Sequence, residues 1–306
     1  MKLPWYKLAP IILYWITPSA LYSQAENGLL NIRNYTPKEY GAHPQNFCFT
    51  QDDRGIMYAG NNRGILQYDG YRWKLFKTKN ESAVTSLLAD KGHRIWVGGI
   101  NEIGYLEADK KGKLSYYSML DKLPQAEQTF DKILRIHAIG DAFVFQTREY
   151  LFIYRNNKIE TIKPGRMGIS FSVNAEVYFN LADSGLHVYN GKVVKPVVGG
   201  STFKGVNIYG VAGEPGNLLV CTANTIYRQH AGSFSEIDKK IPNIYNLESL
   251  GKEYYAFGLF GDGILITDRN LNTRYSFGLQ NGLQDGTINS VFLDRENNLW
   301  VALNRG

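Results

Sequence analysis

Short polar and aromatic segments that follow apolar strand cores carry the side chains of this chain best suited to bind a ligand. Amide, carboxylate, guanidinium and aromatic groups together can hydrogen-bond to a polyhydroxylated molecule and stack on it. Asn and Asp are also ordinary turn residues, so any single member of the set has a simpler structural explanation. The predicted site is the set as a whole: Asn61, Asn62, Arg63, Asn101, Glu102, Arg148, Glu149, Tyr150, Asp183, Asn224, Phe260, Asp262, Asn304 and Arg305.

A repeat along the chain explains why these segments recur. The apolar strand cores centre on Tyr58, Trp96, Phe145, Phe179, Val220, Phe257 and Trp300. Their mean spacing is roughly 40 residues, which is typical of one four-stranded propeller blade. The sequence therefore predicts an all-β fold, a β-propeller of about seven blades of four antiparallel strands.

Blade two shows the repeat most clearly, with strands predicted at 84–89, 95–98, 103–107 and 114–117 between polar or glycine-containing turns. The propeller is predicted over residues 24–306, with blades that start near residues 45, 82, 131, 168, 205, 244 and 287. The seventh blade is truncated at the C-terminus, after its second strand. Either the sequence is a fragment of a longer chain, which we favour, or residues 29–35 supply an outer strand.

The loops that join second to third strands share one face of a propeller with the links between blades. The candidate binding residues lie in loops of the first kind, so we expect them to form a concave rim around the central channel. Binding residues concentrate on loops that a rigid scaffold positions.

The first 23 residues have the pattern of a signal peptide. Lys2 and Lys7 precede a short apolar run at 8–16, small residues follow, and cleavage after Ser23 would leave Gln24 first. The apolar run is too short for a membrane span. We therefore expect export to a periplasm.

Charge and cysteine content exclude several classes of function. The formal net charge is +6 with the basic residues scattered, which does not indicate nucleic-acid binding. Cys48 and Cys221 belong to blades one and five, which are not neighbours, so both are predicted to be free thiols. The five histidines are dispersed, and no metal site or cofactor is predicted.

No catalytic constellation stands out. The acidic residues are in turns, and the segment at 50–55 misses a sialidase aspartate box by one residue and is not repeated. Gly258, Gly261 and Gly263 lie between two strands with no following helix, which argues against a phosphate loop. No enzyme activity is predicted within these residues.

Three phrases resemble the two-component regulator propeller repeat. They are the Gly-Ile-Leu-Gln-Tyr-Asp-Gly run at 64–70, the Arg-Ile-Trp-Val-Gly-Gly run at 94–99 and the Asn-Leu-Trp-Val-Ala-Leu-Asn-Arg-Gly run at 298–306. The resemblance covers about residues 40–306 and is specific in blades one, two and seven. It implies an exported sensor propeller, followed in such proteins by a second propeller, a triple-tyrosine domain, a membrane helix and either a histidine kinase or a DNA-binding regulator.

The resemblance also implies a function. We expect a sensor of a two-component phosphorelay that detects a glycan or oligosaccharide and signals through domains beyond residue 306. An adjacent propeller or a same-family subunit is the expected protein partner, and membrane contact would come only through segments beyond residue 306. A secreted polysaccharide-active enzyme and a protein-interaction scaffold are the alternatives.

Overall fold

The computed structural model describes residues 32–305. The predicted signal peptide, residues 1–23, lies outside the described residues. Residues 33–305 contain seven antiparallel sheets, six with four strands and one with two. A short helix, α1 (Pro37–Tyr40), precedes the first sheet, and 3-10 turns occur at Leu120–Lys122, Gln125–Glu127, Gly200–Phe203 and Leu279–Asn281.

The strands follow one another in order from the innermost to the outermost position of each blade. Blade one contains β1 (Asn46–Gln51), β2 (Met57–Asn61), β3 (Gly64–Tyr68) and β4 (Trp73–Phe76). Blade two contains β5 (Val84–Ala89), β6 (Ile95–Gly99), β7 (Glu102–Ala108) and β8 (Leu114–Ser118). Blade three contains β9 (Arg135–Ile139), β10 (Ala142–Gln146), β11 (Leu151–Arg155) and β12 (Lys158–Ile162).

The remaining blades repeat this plan. Blade four contains β13 (Met167–Val173), β14 (Glu176–Leu181), β15 (Gly185–Tyr189) and β16 (Val194–Pro196). Blade five contains β17 (Gly210–Glu214), β18 (Asn217–Cys221), β19 (Ile226–His230) and β20 (Ser233–Glu236). Blade six contains β21 (Ile244–Leu250), β22 (Tyr254–Leu259), β23 (Ile264–Asp268) and β24 (Thr273–Phe277). The two-stranded sheet contains β25 (Ile288–Leu293) and β26 (Leu299–Leu303).

The propeller class is confirmed, but the predicted number of blades is not. Six blades have four strands, and the sheet of β25 and β26 has only the two inner ones. The prediction of about seven four-stranded blades is therefore wrong in its count. The truncation that the sequence predicted is found at this last sheet.

The innermost strands nevertheless form a closed ring. Each contacts the innermost strand of the next blade, from β1 through β5, β9, β13, β17 and β21 to β25, and β25 contacts β1. In the described residues, the contacts that close the ring against β1 are made by β25 and β26.

Each of the six interfaces between blades that follow one another in the chain, from blade one to the last sheet, has its own apolar cluster. Trp96 is the largest side chain that is almost fully buried, and its ring lies 4.3 Å from the Phe143 ring and 5.0 Å from the Tyr154 ring. Blade two thus inserts its central aromatic side chain into blade three. The interpretation of the recurring aromatic residues as packing between blades is consistent with this burial.

Side chains across the last interface connect the two-stranded sheet to blade one. The Asn289 side chain donates to the Asn46 carbonyl at 2.9 Å, and the Gln51 amide donates to the Glu296 carboxylate at 2.6 Å. Arg295 donates to the Asp53 carbonyl at 3.0 Å. Because a two-stranded sheet is only marginally stable alone, these contacts stabilise it.

An aromatic contact joins this sheet to the segment before α1, beside the Tyr68 and Trp73 rings of blade one. The Tyr35 ring stacks on Trp300 at a centroid distance of 5.7 Å and an interplanar angle of 9°. Residues 32–36 form no strand. The proposal that residues 29–35 add an outer strand therefore fails for residues 32–35, and residues 29–31 lie outside the described part of the chain.

In three blades, an aspartate in the first hairpin turn lies 6 residues before an aromatic residue of the second strand. Oδ2 of Asp90 accepts a hydrogen bond from Nε1 of Trp96 at 2.8 Å, and Asp294 accepts one from Trp300 at 2.8 Å. Asp52 accepts a hydrogen bond from the Tyr58 hydroxyl at 3.3 Å. The other oxygen of each carboxylate accepts backbone N–H groups of the turn. The aspartate thus joins turn geometry to the buried aromatic side chain.

Replacing Asp90 with alanine is expected to lower the free energy of unfolding by about 2 kcal/mol, because it leaves the buried Trp96 N–H without an acceptor. Asp109 is the matched control, since it accepts the Lys111 and Lys113 backbone N–H groups in another turn. Asp109→Ala is expected to cost about 1 kcal/mol. Urea unfolding measures both, and equal losses would contradict a role for the indole hydrogen bond.

Candidate binding face

The predicted rim loops and the links between blades lie on one face of the propeller. Backbone hydrogen bonds join the two sets: Asn101 N–H donates to the Asp131 carbonyl, Phe260 N–H to the Asn243 carbonyl and Asn304 N–H to the Thr287 carbonyl. Because the pattern recurs in several blades, the second-to-third-strand loops form a common rim. Their role in binding remains a prediction.

Two members of the predicted set are buried. The Asn61 side chain donates to the carbonyl groups of His43 and Gln45 and accepts the Arg63 N–H, and it is fully buried. Glu102 is also buried and accepts the Ser118 hydroxyl at 2.6 Å. Both side chains hold the fold together, so we leave them out of the proposed ligand-contacting surface.

Four further members help to fix the loops. Asn101 accepts the Phe130 N–H, and Asn304 accepts a hydrogen bond from the Gln45 side chain at 2.8 Å. Asn224 accepts the Asn243 N–H at 3.1 Å. The remaining one, Asp262, accepts the Asn243 side-chain amide at 2.9 Å. Asn224 and Asp262 are exposed, whereas Asn101 and Asn304 are half-buried.

Of the remaining eight members of the set, seven are exposed at the surface and Tyr150 is half-buried. Exposed members are Asn62, Arg63, Arg148, Glu149, Asp183, Phe260 and Arg305. Tyr150 is half-buried, its ring stacks on Phe152 at 5.3 Å, and the Lys163 ammonium lies 5.0 Å from the ring centroid. Both neighbours occupy the ring, so Tyr150 is a poor stacking platform.

The most distinctive feature of this face is a row of three aromatic side chains at blades five and six. Tyr209 and Tyr245 stack at 6.1 Å, and Tyr245 lies 6.1 Å from Phe260. Tyr245 is 40% exposed and Phe260 is 62% exposed. We call these three residues the aromatic row. Large exposed aromatic side chains in a continuous group commonly mark a binding surface.

A β-bulge explains the exposure of Tyr245. Ile244 pairs with Leu259 and Asn246 pairs with Gly258, so Tyr245 is the extra residue between two regular pairs. Asn246 is anchored, since its side chain donates to the Ile288 carbonyl at 3.0 Å. A Cβ at Gly258 would lie 2.5 Å from the Asn246 amide, so this position requires glycine. The bulge turns the Tyr245 side chain out of the blade.

The sequence prediction included Phe260 but missed Tyr209 and Tyr245. Both tyrosines lie where the chain enters an innermost strand, whereas the prediction took its candidates from the loops between second and third strands. The Pro242–Asn243 pair shortly before Tyr245 is a turn signal that the sequence offered. In the structure Asn243 has a φ of 58°, and the link between blades ends there. The polar groups beside the row are Asn224, Asn243 and Asp262, joined by hydrogen bonds.

A serine and a histidine are in contact near the channel, but their geometry is not that of a nucleophile and its base. The Ser170 hydroxyl donates to Oε1 of Gln146 at 2.8 Å. Nε2 of His137, 2.7 Å from the same hydroxyl oxygen, must therefore donate to it rather than accept its proton. Burial, with a smaller effect of Arg135, lowers the pKa of His137 to about 3. The pair links blades three and four in a neutral hydrogen-bond chain.

Both cysteines are free thiols, one on β1 and one on β18. Burial raises the pKa of Cys48 to about 12 and also raises the pKa of Cys221, so neither is an activated nucleophile. Within residues 32–305, no group of three or more His, Cys, Asp or Glu side chains is arranged to hold a metal ion. The helices in the same part of the chain are all too short or too polar to cross a membrane.

Comparison with known proteins identifies similar folds. The extracellular domain of the hybrid two-component system BT4673 from B. thetaiotaomicron matches with a TM-score of 0.67 and 17% identity, over 86% of this chain and 37% of that one. The extracellular domain of BT3049 from the same organism matches with a TM-score of 0.69 and 15% identity, over 90% of this chain and 40% of that one. The chain shares the propeller fold of these extracellular domains.

These solved structures support the resemblance drawn from the sequence at the level of the fold, and the chain spans at most about two fifths of the length of these two extracellular domains. Virginiamycin B lyase from Staphylococcus aureus is also similar, with a TM-score of 0.64 and 14% identity over 86% of this chain and 92% of the lyase. At such identities the likeness establishes the fold alone. No protein-family model and no curated protein matches the sequence.

Proposed function

We propose that this chain is an exported, periplasmic ligand-sensing propeller of a two-component signal transduction protein, and that it binds a glycan or oligosaccharide on the rim face. Signalling would pass through domains beyond residue 306. An adjacent propeller or a second subunit of the same family is the proposed protein partner. The observation that carries the ligand class is the aromatic row, beside the hydrogen-bonded Asn224, Asn243 and Asp262.

The chemistry of the aromatic row suits a sugar ring. The C–H groups of a pyranose pack on an aromatic face, and its hydroxyl groups need donors and acceptors at the edge of that face. Tyr245 and Phe260 provide exposed rings, while Asp262 and Asn224 provide acceptors at the surface. The exposed arginines Arg63, Arg148 and Arg305 add donors elsewhere on the rim.

Calorimetric titration with a panel of neutral and acidic oligosaccharides tests the proposal. For a ligand that binds, Tyr245→Ala and Phe260→Ala are each expected to weaken affinity about 5–30-fold, since loss of one stacking ring costs about 1–2 kcal/mol. Tyr275→Ala is the matched control, because Tyr275 is 43% exposed but lies on the outermost strand β24. It is expected to bind as the unmodified chain does.

Two results would overturn the proposal. Folded protein that gives no heat with any oligosaccharide would exclude a glycan sensor, and equal effects of Tyr275→Ala and Tyr245→Ala would exclude the aromatic row. Release of shortened or unsaturated sugars would favour the alternative of a polysaccharide-active enzyme, with the exposed Asp262 as the carboxylate to replace first. Binding of a protein and no sugar would favour an interaction scaffold.

A further inference from the structure

The two most exposed rings of the aromatic row are inclined to each other. The Tyr245 and Phe260 ring planes meet at 50°, and the Tyr209 and Tyr245 planes meet at 30°, with a centroid separation of 6.1 Å in both pairs. At this separation neighbouring aromatic rings lie side by side or strongly offset. No ring of the row therefore covers a whole face of the next, and the plane of the surface changes from ring to ring.

The backbone fixes the two exposed rings relative to each other. Ile244 and Leu259 are paired between β21 and β22. The residue after each of them carries a ring, Tyr245 on β21 and Phe260 just beyond β22. The Phe260 N–H donates to the Asn243 carbonyl at 2.8 Å, which holds the chain after β22 against the chain before β21. The bulge at Tyr245 increases the local twist of the strand pair, so the inclination of the rings follows from strand pairing as well as from side-chain rotation.

The third ring reaches the row because two innermost strands approach each other closely. Tyr209 precedes β17, and its N–H donates to the Cys221 carbonyl at 2.8 Å. A Cβ at Gly210 would lie 2.3 Å from the Cβ of Leu247 on β21, so this contact between blades five and six requires glycine. The packing of the two blades therefore holds Tyr209 beside Tyr245.

The polar groups beside the row include a carboxylate without a cation. Asp262 accepts the Asn243 side-chain amide at 2.9 Å, and among residues 32–305 it forms no ion pair within 4.0 Å. Asp262 is exposed, so a ligand can reach its carboxylate. The carboxylate would repel a negatively charged sugar, whereas an uncharged sugar can donate its hydroxyl groups to it.

The inclination of the rings distinguishes between two shapes of uncharged glycan. In a β-1,4-linked glucan both linkage bonds are equatorial, so successive sugar rings lie in a nearly flat ribbon. In an α-1,4-linked glucan the bond at C1 is axial, so each sugar ring is inclined to the one before it and the chain curves. A flat ribbon cannot lie against both Tyr245 and Phe260, because their planes differ by 50°. A curved chain can place one sugar on each ring.

We propose that the aromatic row binds an α-1,4-linked glucan and discriminates against the β-1,4-linked isomer. This inference rests on the proposed function, because it specifies which glycan the same surface binds. One sugar packs on Phe260 and donates hydroxyl groups to Asp262, and the next sugar packs on Tyr245. Tyr209 extends the surface towards blade five.

Calorimetric titration with maltohexaose and cellohexaose tests the inference. The two probes contain the same number of glucose units and differ only in the configuration of the linkage. The affinity for maltohexaose is expected to be at least about tenfold higher, because only the curved chain contacts both exposed rings.

Two substitutions of one residue separate the shape of the row from its apolar character. Phe260→Ala leaves Tyr245 without its inclined neighbour, so the preference for maltohexaose is expected to fall to about threefold or less. Phe260→Tyr keeps a ring in the same plane and is expected to keep the preference. Tyr275→Ala, on the outermost strand β24, is the control and should leave both affinities unchanged. Circular dichroism confirms that each variant is folded.

The outcomes distinguish this inference from the proposed function. Three results would overturn the inference and leave a glycan sensor in place: cellohexaose binds as tightly as maltohexaose or more tightly, neither hexasaccharide binds while another oligosaccharide does, or folded Phe260→Ala keeps the full preference. Absence of binding by every oligosaccharide would overturn both.

Discussion

Replacing Trp96 with alanine is expected to lower the free energy of unfolding by about 4 kcal/mol, the range for a large buried aromatic side chain in a packed core. Trp96 is 1% exposed and contacts Phe143, Phe145 and Tyr154 of blade three. The substitution removes the hydrogen bond to Asp90 together with the packing between two blades. Chemical unfolding followed by far-ultraviolet circular dichroism is the suitable measurement, because Trp96 itself contributes to the fluorescence.

Two further variants divide this effect into its parts. Trp96→Phe keeps most of the buried aromatic surface but loses the indole N–H. We therefore expect it to lose less than half of the unfolding free energy that Trp96→Ala loses. Tyr71→Ala is the surface control, since Tyr71 is 83% exposed, and its effect is expected to stay within about 0.5 kcal/mol. A loss below about 1 kcal/mol for Trp96→Ala would contradict the packing of blade two against blade three.

Acidification is expected to destabilise the protein through His137. Burial holds the pKa of the folded imidazole at about 3, below the ordinary value of 6.5, so the unfolded chain binds the proton more readily. The stability contributed by the neutral imidazole is complete above pH 6.5 and is lost as the pH falls towards 3. At pH 4.5 the loss is about 2–3 kcal/mol. Urea unfolding between pH 7 and pH 4.5 measures it.

The titration of Glu248 changes the stability in the opposite direction over part of this pH range. Its pKa is raised from 4.5 to about 7, so its contribution is complete below pH 4.5 and is lost as the pH rises through 7. The effect of His137 is therefore best measured in Glu248→Gln protein, compared with the same protein carrying His137→Gln. If both proteins lose the same stability on acidification, His137 is not the responsible group.

The strands could be predicted from the sequence more accurately than their register. Blade two was predicted within a residue or two at each strand, because polar turns bound short apolar runs. The recurring cores were matched less well. The residue in the place of Trp96, which faces the following blade, is Val144 in blade three rather than Phe145, and Ala256 in blade six rather than Phe257. Strands buried on both faces have apolar residues in succession, so their composition does not reveal which residue faces which neighbour.

For the candidate site too, features set by neighbouring residues in the chain could be predicted, and features set by distant residues could not. Loop membership followed from local turn residues, and the predicted segments do lie together on one face. Burial could not be inferred, because Asn61 ends β2 and Glu102 begins β7, and their side chains bond to residues outside those strands. Tyr245 was missed because a bulge depends on pairing with the next strand.

Repeat length, turn chemistry and the truncated last sheet can be read from the sequence alone, since each depends on residues close together in the chain. Closure of the ring through β25 and β1 and the exposure of the aromatic row required the folded chain. Both depend on contacts between blades. Strand patterning specifies each blade but does not specify which side chains neighbouring or opposite blades bring together.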